Sequence, residues 1–182
     1  MENSLAWHIV EEAVNKEINW LKRVIIQARP AEGPGCDGCR YTYRKIALLI
    51  LTGKVRATEI RAKQGHDLWD NLTTGKNLDR LSRHGGAWHR KMMDVLGAYF
   101  AKQGFELVDE PFLAMGRADL GAYKRGRKDL FIEVGTTSVY KLWWNLQRLN
   151  NALILLVPSE AQAIEFICFD KNKLKSKLEK EK

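Results

Sequence analysis

Two carboxylates, Asp119 and Glu133, stand out in the stretch 117–137, RADLGAYKRGRKDLFIEVGTT. Side chains alternate along a strand, so Asp119, Gly121 and Tyr123 share one side of a first strand. By the same rule Phe131, Glu133 and Gly135 share one side of a second. If the basic turn between the strands pairs them with these sides matched, two acids meet on one surface. Most isolated Asp and Glu residues are simply solvated. Here, however, Leu130, Phe131, Ile132 and Val134 surround Glu133 in an apolar run that reads as a central strand buried on both faces. An unpaired carboxylate is costly in such a place, and the two acids are therefore read as a functional pair.

The other reactive residue types form weaker sets. Cys36 and Cys39 make one C-x-x-C in the Gly-rich loop PAEGPGCDGCR, which is half of a zinc site. His66, His84 and His89 lack the short partner spacing that would complete it. Two free thiols, or a disulfide formed on oxidation, are the simpler reading. Cys168 lies in an apolar strand pattern and reads as a small buried hydrophobe. No Ser-His-Asp set, dinucleotide fingerprint or Gly-rich phosphate loop is present.

The elements that must position the acids follow in the second half of the chain. Met92, Val95, Leu96, Tyr99 and Phe100 give Ala87 to Gln103 the apolar face of a helix, ended by Gly104. FELVDEPFLAM, RADLGAYKR and KDLFIEVGT read as strands, SVYKLWWNLQRLNN as a helix, and ALILLVPS and AIEFICFD as two more strands. ALILLV is uniformly apolar, as a strand covered on both faces should be. The helix before it is the crossover that allows this strand to lie parallel to KDLFIEVGT.

At 182 residues and 45% hydrophobic content the chain can bury a substantial core. No apolar run is long enough to span a bilayer and the N-terminus MENSLAWHIVEE is unlike a signal peptide, so a soluble cytoplasmic protein is expected. The net charge of +8 is concentrated: residues 1–39 carry −2, 40–90 carry +7, 91–170 carry −1 and 171–182 carry +4. Clustered Lys and Arg are the footprint of phosphate-backbone binding, which makes DNA the expected partner. Residues 4–28 read as an amphipathic helix with Leu5, Ile9, Ala13, Ile18, Leu21 and Ile25 on one face. A second helix runs from Tyr41 to a C-cap at Gly53, and Thr58 to Gly65 suggests a third. Residues 1–84 are thus expected to form an all-α, basic, helix-turn-helix or winged-helix-like domain, with Arg56, Arg61, Lys63, Lys76, Arg80 and Arg83 facing phosphates. The 171–182 segment is a charged tail.

The order α-β-β-β-α-β, with Asp at the start of the second strand and Glu near the end of the third, resembles the PD-(D/E)XK nuclease superfamily. GFELVDEP followed by RADLGAYKRGRKDLFIEVGTT is most similar to archaeal Holliday-junction resolvases and related nucleases of mobile elements. The resemblance covers residues 85–170 and implies an α/β restriction-endonuclease-like core with a mixed central sheet. It implies that Asp119 and Glu133, with the backbone carbonyl of Val134, hold Mg2+ or Mn2+, although Ala118 stands where the family often has Pro. Oxygen-only ligation suits those hard cations. The family's Lys, two residues after the acid, is Gly135 here, and Lys141 on the following helix is the candidate to reach back. Lys124, Arg127 and Lys128 in the turn would meet DNA phosphates or solvent. Resolvase-like members place a Glu near the start of the preceding helix, where His89 is the nearest polar residue, about a turn displaced. Gln147 falls on the later helix, where some members use a Gln, although Trp143, Trp144, Leu146 and Leu149 mark that helix as mostly for packing. The implied activity is metal-dependent DNA endonuclease. The alternative is a DNA-binding, architectural or regulatory protein that lost catalysis with the lysine. A junction or duplex cutter making paired cuts would be a homodimer, with the first helix as one interface.

Overall fold

The apolar runs that identify the central strands also set the layering. In the computed structural model, which describes residues 2–25, 37–61, 86–159 and 162–170, the elements are α1 (Glu2–Val24), α2 (Asp37–Leu51), β1 (Val55–Arg61), α3 (Ala87–Lys102), β2 (Glu106–Asp109), β3 (Leu120–Tyr123), β4 (Asp129–Val134), α4 (Val139–Arg148), β5 (Ala152–Ser159) and β6 (Gln162–Cys168). The strands form one mixed sheet in the order β1-β6-β5-β4-β3-β2. β2, β3 and β4 form an antiparallel meander; β5 then lies parallel to β4, because α4 carries the chain back across the sheet. The expected crossover is therefore present. β6 returns antiparallel to β5, and β1 closes the edge antiparallel to β6.

Alternation along β4 and β5 divides the core in two. Phe131, Ile154 and Leu156 face a layer built from Val14, Ile18 and Leu21 of α1, Tyr43 and Ile46 of α2, and Leu142 and Leu146 of α4. Leu130, Ile132, Val134, Leu155 and Val157 face the other way, against Trp88, Met92 and Leu96 of α3. Both faces of the central strands are covered, which is why their sequences are apolar throughout. Cys168 is buried in the first of these cores, and burial pushes its thiol up to about 11.

The N-terminal half departs from the sequence expectation. α1 buries Val14, Ile18, Leu21 and Val24, so its apolar face begins after Ile9, which is 60% exposed. α2 ends as expected, with Gly53 at φ 72° and its N–H on the Ile50 carbonyl at 2.9 Å. The expected helix from Thr58 is instead the strand β1, which corrects the all-α reading of this half. Seven residues of β1 pair with β6, from Val55↔Cys168 to Arg61↔Gln162, and long-range pairing of that extent outweighs a weak local helical pattern. α1, α2 and β1 share one core with the sheet rather than a core of their own. The helices and basic residues expected beyond Arg61, including Lys63, Lys76, Arg80 and Arg83, lie outside the described residues, as does the 171–182 tail. No helix among the described residues is long and apolar enough to cross a membrane.

Candidate functional site

Asp119 and Glu133 lie at one end of the sheet, where β3 begins and β4 ends. Tyr123 and Phe131 stack edge-on at 6.2 Å on the α1/α2/α4 side, and the two acids are in phase with them. The β3–β4 ladder stops short at this end. After the Leu120↔Ile132 pair, the Asp119 N–H still donates to the Ile132 carbonyl at 3.0 Å. The next donor, Val134 N–H, goes to the Asp119 carboxylate at Oδ2, 2.7 Å away. A side chain thus replaces a main-chain acceptor, and the carboxylate is fixed in the plane of the sheet edge. A strand residue sends its N–H and C=O to the same side, which puts the Val134 carbonyl on the β3 side of β4.

Glu133 is buried, with its side chain 11% exposed, and its Oε1 accepts from Lys141 Nζ at 2.7 Å. Burial pushes its carboxyl up to about 7 against the opposing pull of Lys141, and the Asp119 charge adds to the rise. A carboxylate beside a second one in a largely desolvated site resists ionisation, and a nearby cation relieves it.

Lys141 reaches the site because α4 starts beside it. Ser138 caps the helix, its Oγ accepting from Lys141 N–H at 3.4 Å, which puts Lys141 in the first turn. Its Nζ also donates to the Arg117 carbonyl at 2.6 Å, and its stem passes where a side chain at Gly116 would begin. Gly135, two residues after Glu133, ends the strand in a conformation that favours glycine. Its φ is 87°, and its N–H donates to the Val157 carbonyl at 2.8 Å as β4 ends. An L-residue there would be strained, and the ammonium beside Glu133 belongs to α4.

His89, in the first turn of α3, brings Nε2 to 3.8 Å from Asp119 Oδ1, beyond hydrogen-bonding reach. Its Nδ1 is buried without a hydrogen-bond partner. Asn145, one turn after Lys141 and 1% exposed, was not singled out in the sequence. Its amide accepts from Met115 N–H at 2.8 Å and donates to the Met115 carbonyl at 3.1 Å, which fixes the loop beside the acids. Only its spacing four residues after Lys141 could have signalled it.

The other expected residues are elsewhere. Gln147 is exposed, about 240° around α4 from Lys141. Lys124, Arg127 and Lys128 belong to the turn at the opposite end of β4, about 15 Å or more along the strand from Glu133. Lys124 Nζ donates to the Gln103 carbonyl and Lys128 Nζ to Asn151 Oδ1, both at 2.6 Å. Arg56 and Arg61 are on the far edge strand, where Arg61 pairs with Glu59 at 2.7 Å. Cys36 and the side chain of Cys39 lie outside the described residues.

The described residues gather no group of three or more His, Cys, Asp or Glu side chains. The oxygen donors that act on one another there are the two carboxylates, the Asp119 charge raising Glu133. An oxygen-only set of this kind fits Mg2+ or Mn2+ and does not fit a soft metal. No family model, curated protein or solved structure matches the chain.

Proposed function

We propose that the protein is a metal-dependent DNA endonuclease of the PD-(D/E)XK type. The observation that carries this reading is the meeting of Glu133 with Lys141 from another element, 2.7 Å apart, beside an Asp119 locked to Val134 N–H. The β2–β4 meander, the α4 crossover and the parallel β5 also support it, since they repeat the order α-β-β-β-α-β of that fold. Asp119, Glu133 and the Val134 carbonyl would hold Mg2+ or Mn2+. The bound ion supplies Lewis acidity toward the phosphate and a water of lowered pKa. Glu133, raised to about 7, would have to be deprotonated to serve as a ligand, so binding of a cation would strengthen as pH rises. Lys141 places a fixed positive charge beside the acids, where charge accumulates on a phosphate under attack.

The N-terminal half contributes through its charge, +7 over residues 40–90, as a surface for the DNA backbone. The homodimer, a cytoplasmic location and a helix-turn-helix formed without the Thr58 segment, which is strand β1, belong to this proposal. A second reading, a DNA-binding protein without catalysis, is favoured by one observation: Lys141 Nζ is already bonded to the Arg117 carbonyl. Cleavage of plasmid, single-stranded, flapped and four-way-junction DNA in Mg2+ or Mn2+ separates the two. The enzyme reading expects cleavage that is lost in Asp119→Ala and Glu133→Ala. Retained DNA binding with no cleavage in any divalent ion supports the second.

A further inference from the structure

Between β2 and β3 the chain makes a short arm whose construction exceeds what a connection needs. Glu110 turns into it with φ 46°, an uncommon conformation for a non-glycine residue. Ala118 N–H then donates to the Pro111 carbonyl at 3.0 Å, Phe112 and Arg117 form a bridge, and Leu113 N–H donates to the Gly116 carbonyl at 2.9 Å. The arm is anchored on three sides. Pro111 packs over Gly121, where a Cβ would come within 2.9 Å of the ring. Asn145 holds both main-chain groups of Met115, and Lys141 holds the Arg117 carbonyl.

What this stiff arm presents outward is Phe112, 77% exposed, the most exposed of the large apolar residues described. The Arg117 guanidinium lies over its ring at 4.4 Å and is held there by Glu110 Oε2 at 3.1 Å. The Arg117 carbonyl accepts from the same Lys141 that meets Glu133, which ties the arm carrying the ring to the acid site. A flat apolar face, an adjacent guanidinium and a backbone already immobilised form a stacking platform with little entropy left to lose. We infer that Phe112 stacks on an unpaired base next to the cleaved phosphate, with Arg117 meeting its backbone, so that the preferred substrate is single-stranded or branched rather than continuous duplex DNA. This rests on the nuclease reading and narrows it. A base inside an intact duplex has no free face to offer the ring, whereas one at a fork, flap or strand end does.

The test is binding and cleavage by the full chain, wild type against Phe112→Ala and Phe112→Tyr. Anisotropy titrations in EDTA use a fluorescein-labelled single strand, a fork and a blunt duplex of the same sequence, and 2-aminopurine in the fork reports stacking. Phe112→Ala is expected to weaken single-strand and fork binding roughly five- to a hundredfold, the range of one base–aromatic stack. It is expected to abolish the 2-aminopurine quench and to change duplex binding less than about twofold. Phe112→Tyr restores both. Equal affinities for wild type and Phe112→Ala, or an equal loss on all three DNAs, overturn the inference while plasmid cleavage leaves the nuclease reading intact. Absence of binding to every DNA overturns both.

Discussion

Lysines face oxygen atoms at both ends of the sheet, but the oxygens differ in kind. At the end where β4 begins, Lys54 Nζ donates to the carbonyls of Leu149 and Phe169, both at 3.0 Å, and to Asn150 Oδ1 at 2.8 Å. Lys128 Nζ meets Asn151 Oδ1 nearby. These acceptors are neutral oxygens, and Lys54 alone meets three of them. At the end where β4 finishes, Lys141 meets one carbonyl and one carboxylate, and that carboxylate lies beside another. At the first end these ammonium groups are held by main-chain and amide oxygens. The second holds a raised carboxyl and a buried histidine nitrogen without a partner, the kind of arrangement that the proposed chemistry would use.

Replacing one lysine at each end should break the comparison most sharply. Lys141→Met is expected to reduce cleavage about a hundred- to a thousandfold, the range for losing one group that stabilises developing charge. Its melting temperature should fall less than that of Lys54→Met, since a surviving neutral Glu133 needs no counter-ion and only the Arg117 carbonyl loses its donor. Lys54→Met should do the reverse. Lys54 is 9% exposed, and its loss leaves two carbonyls and an amide oxygen without their donor. The expected cost is about 3 kcal/mol, roughly 6–12 °C in Tm, with cleavage per folded molecule unchanged. Calorimetry beside single-turnover cleavage reads both. An inactive but fully stable Lys54→Met would mean that the two ends are coupled.

The pH dependence of stability follows from Glu133. Its carboxyl is raised from 4.5 to about 7 in the folded protein, so the folded state keeps a proton that the unfolded chain releases. The associated stability is fully present below pH 4.5 and is lost as pH rises through 7, by on the order of 3 kcal/mol. Urea unfolding in EDTA from pH 4 to 8 should show this decline in the wild type. Glu133→Gln should flatten it, and saturating Mg2+ should reverse it. Parallel curves for wild type and Glu133→Gln would remove the buried acid as its source.

The site end was the more legible of the two in the sequence, and the reasons are local. Period-two alternation places Asp119 and Glu133 in phase without knowledge of the rest of the fold. The apolar runs of β4 and β5 identify strands covered on both faces, and the helix between them identifies a parallel crossover. β1 was illegible because VRATEIR has no strong pattern of its own; its partner, β6, lies more than 100 residues later. Asn145 was illegible for a related reason. A polar residue in a packing helix acquires its role only when a distant loop presents Met115 to it. Gly135 was visible, but the φ of 87° that favours glycine there is a property of the backbone.

The smallest expected effect sharpens the boundary between the ends. Arg127 is exposed in the turn that leads into β4, where its own N–H donates to the Lys124 carbonyl at 2.9 Å. Arg127→Ala keeps that bond and removes only a solvated charge, so stability should change by less than about 0.5 kcal/mol. With the turn about 15 Å or more from Glu133, a phosphate seated at the acids does not touch Arg127. Single-turnover cleavage should then fall less than about twofold, and the salt slope of DNA binding by no more than about one. A tenfold loss of affinity would place DNA along the length of β4 rather than at one end, and the basic turn would join the site through its charge although it is separated from it in chemistry.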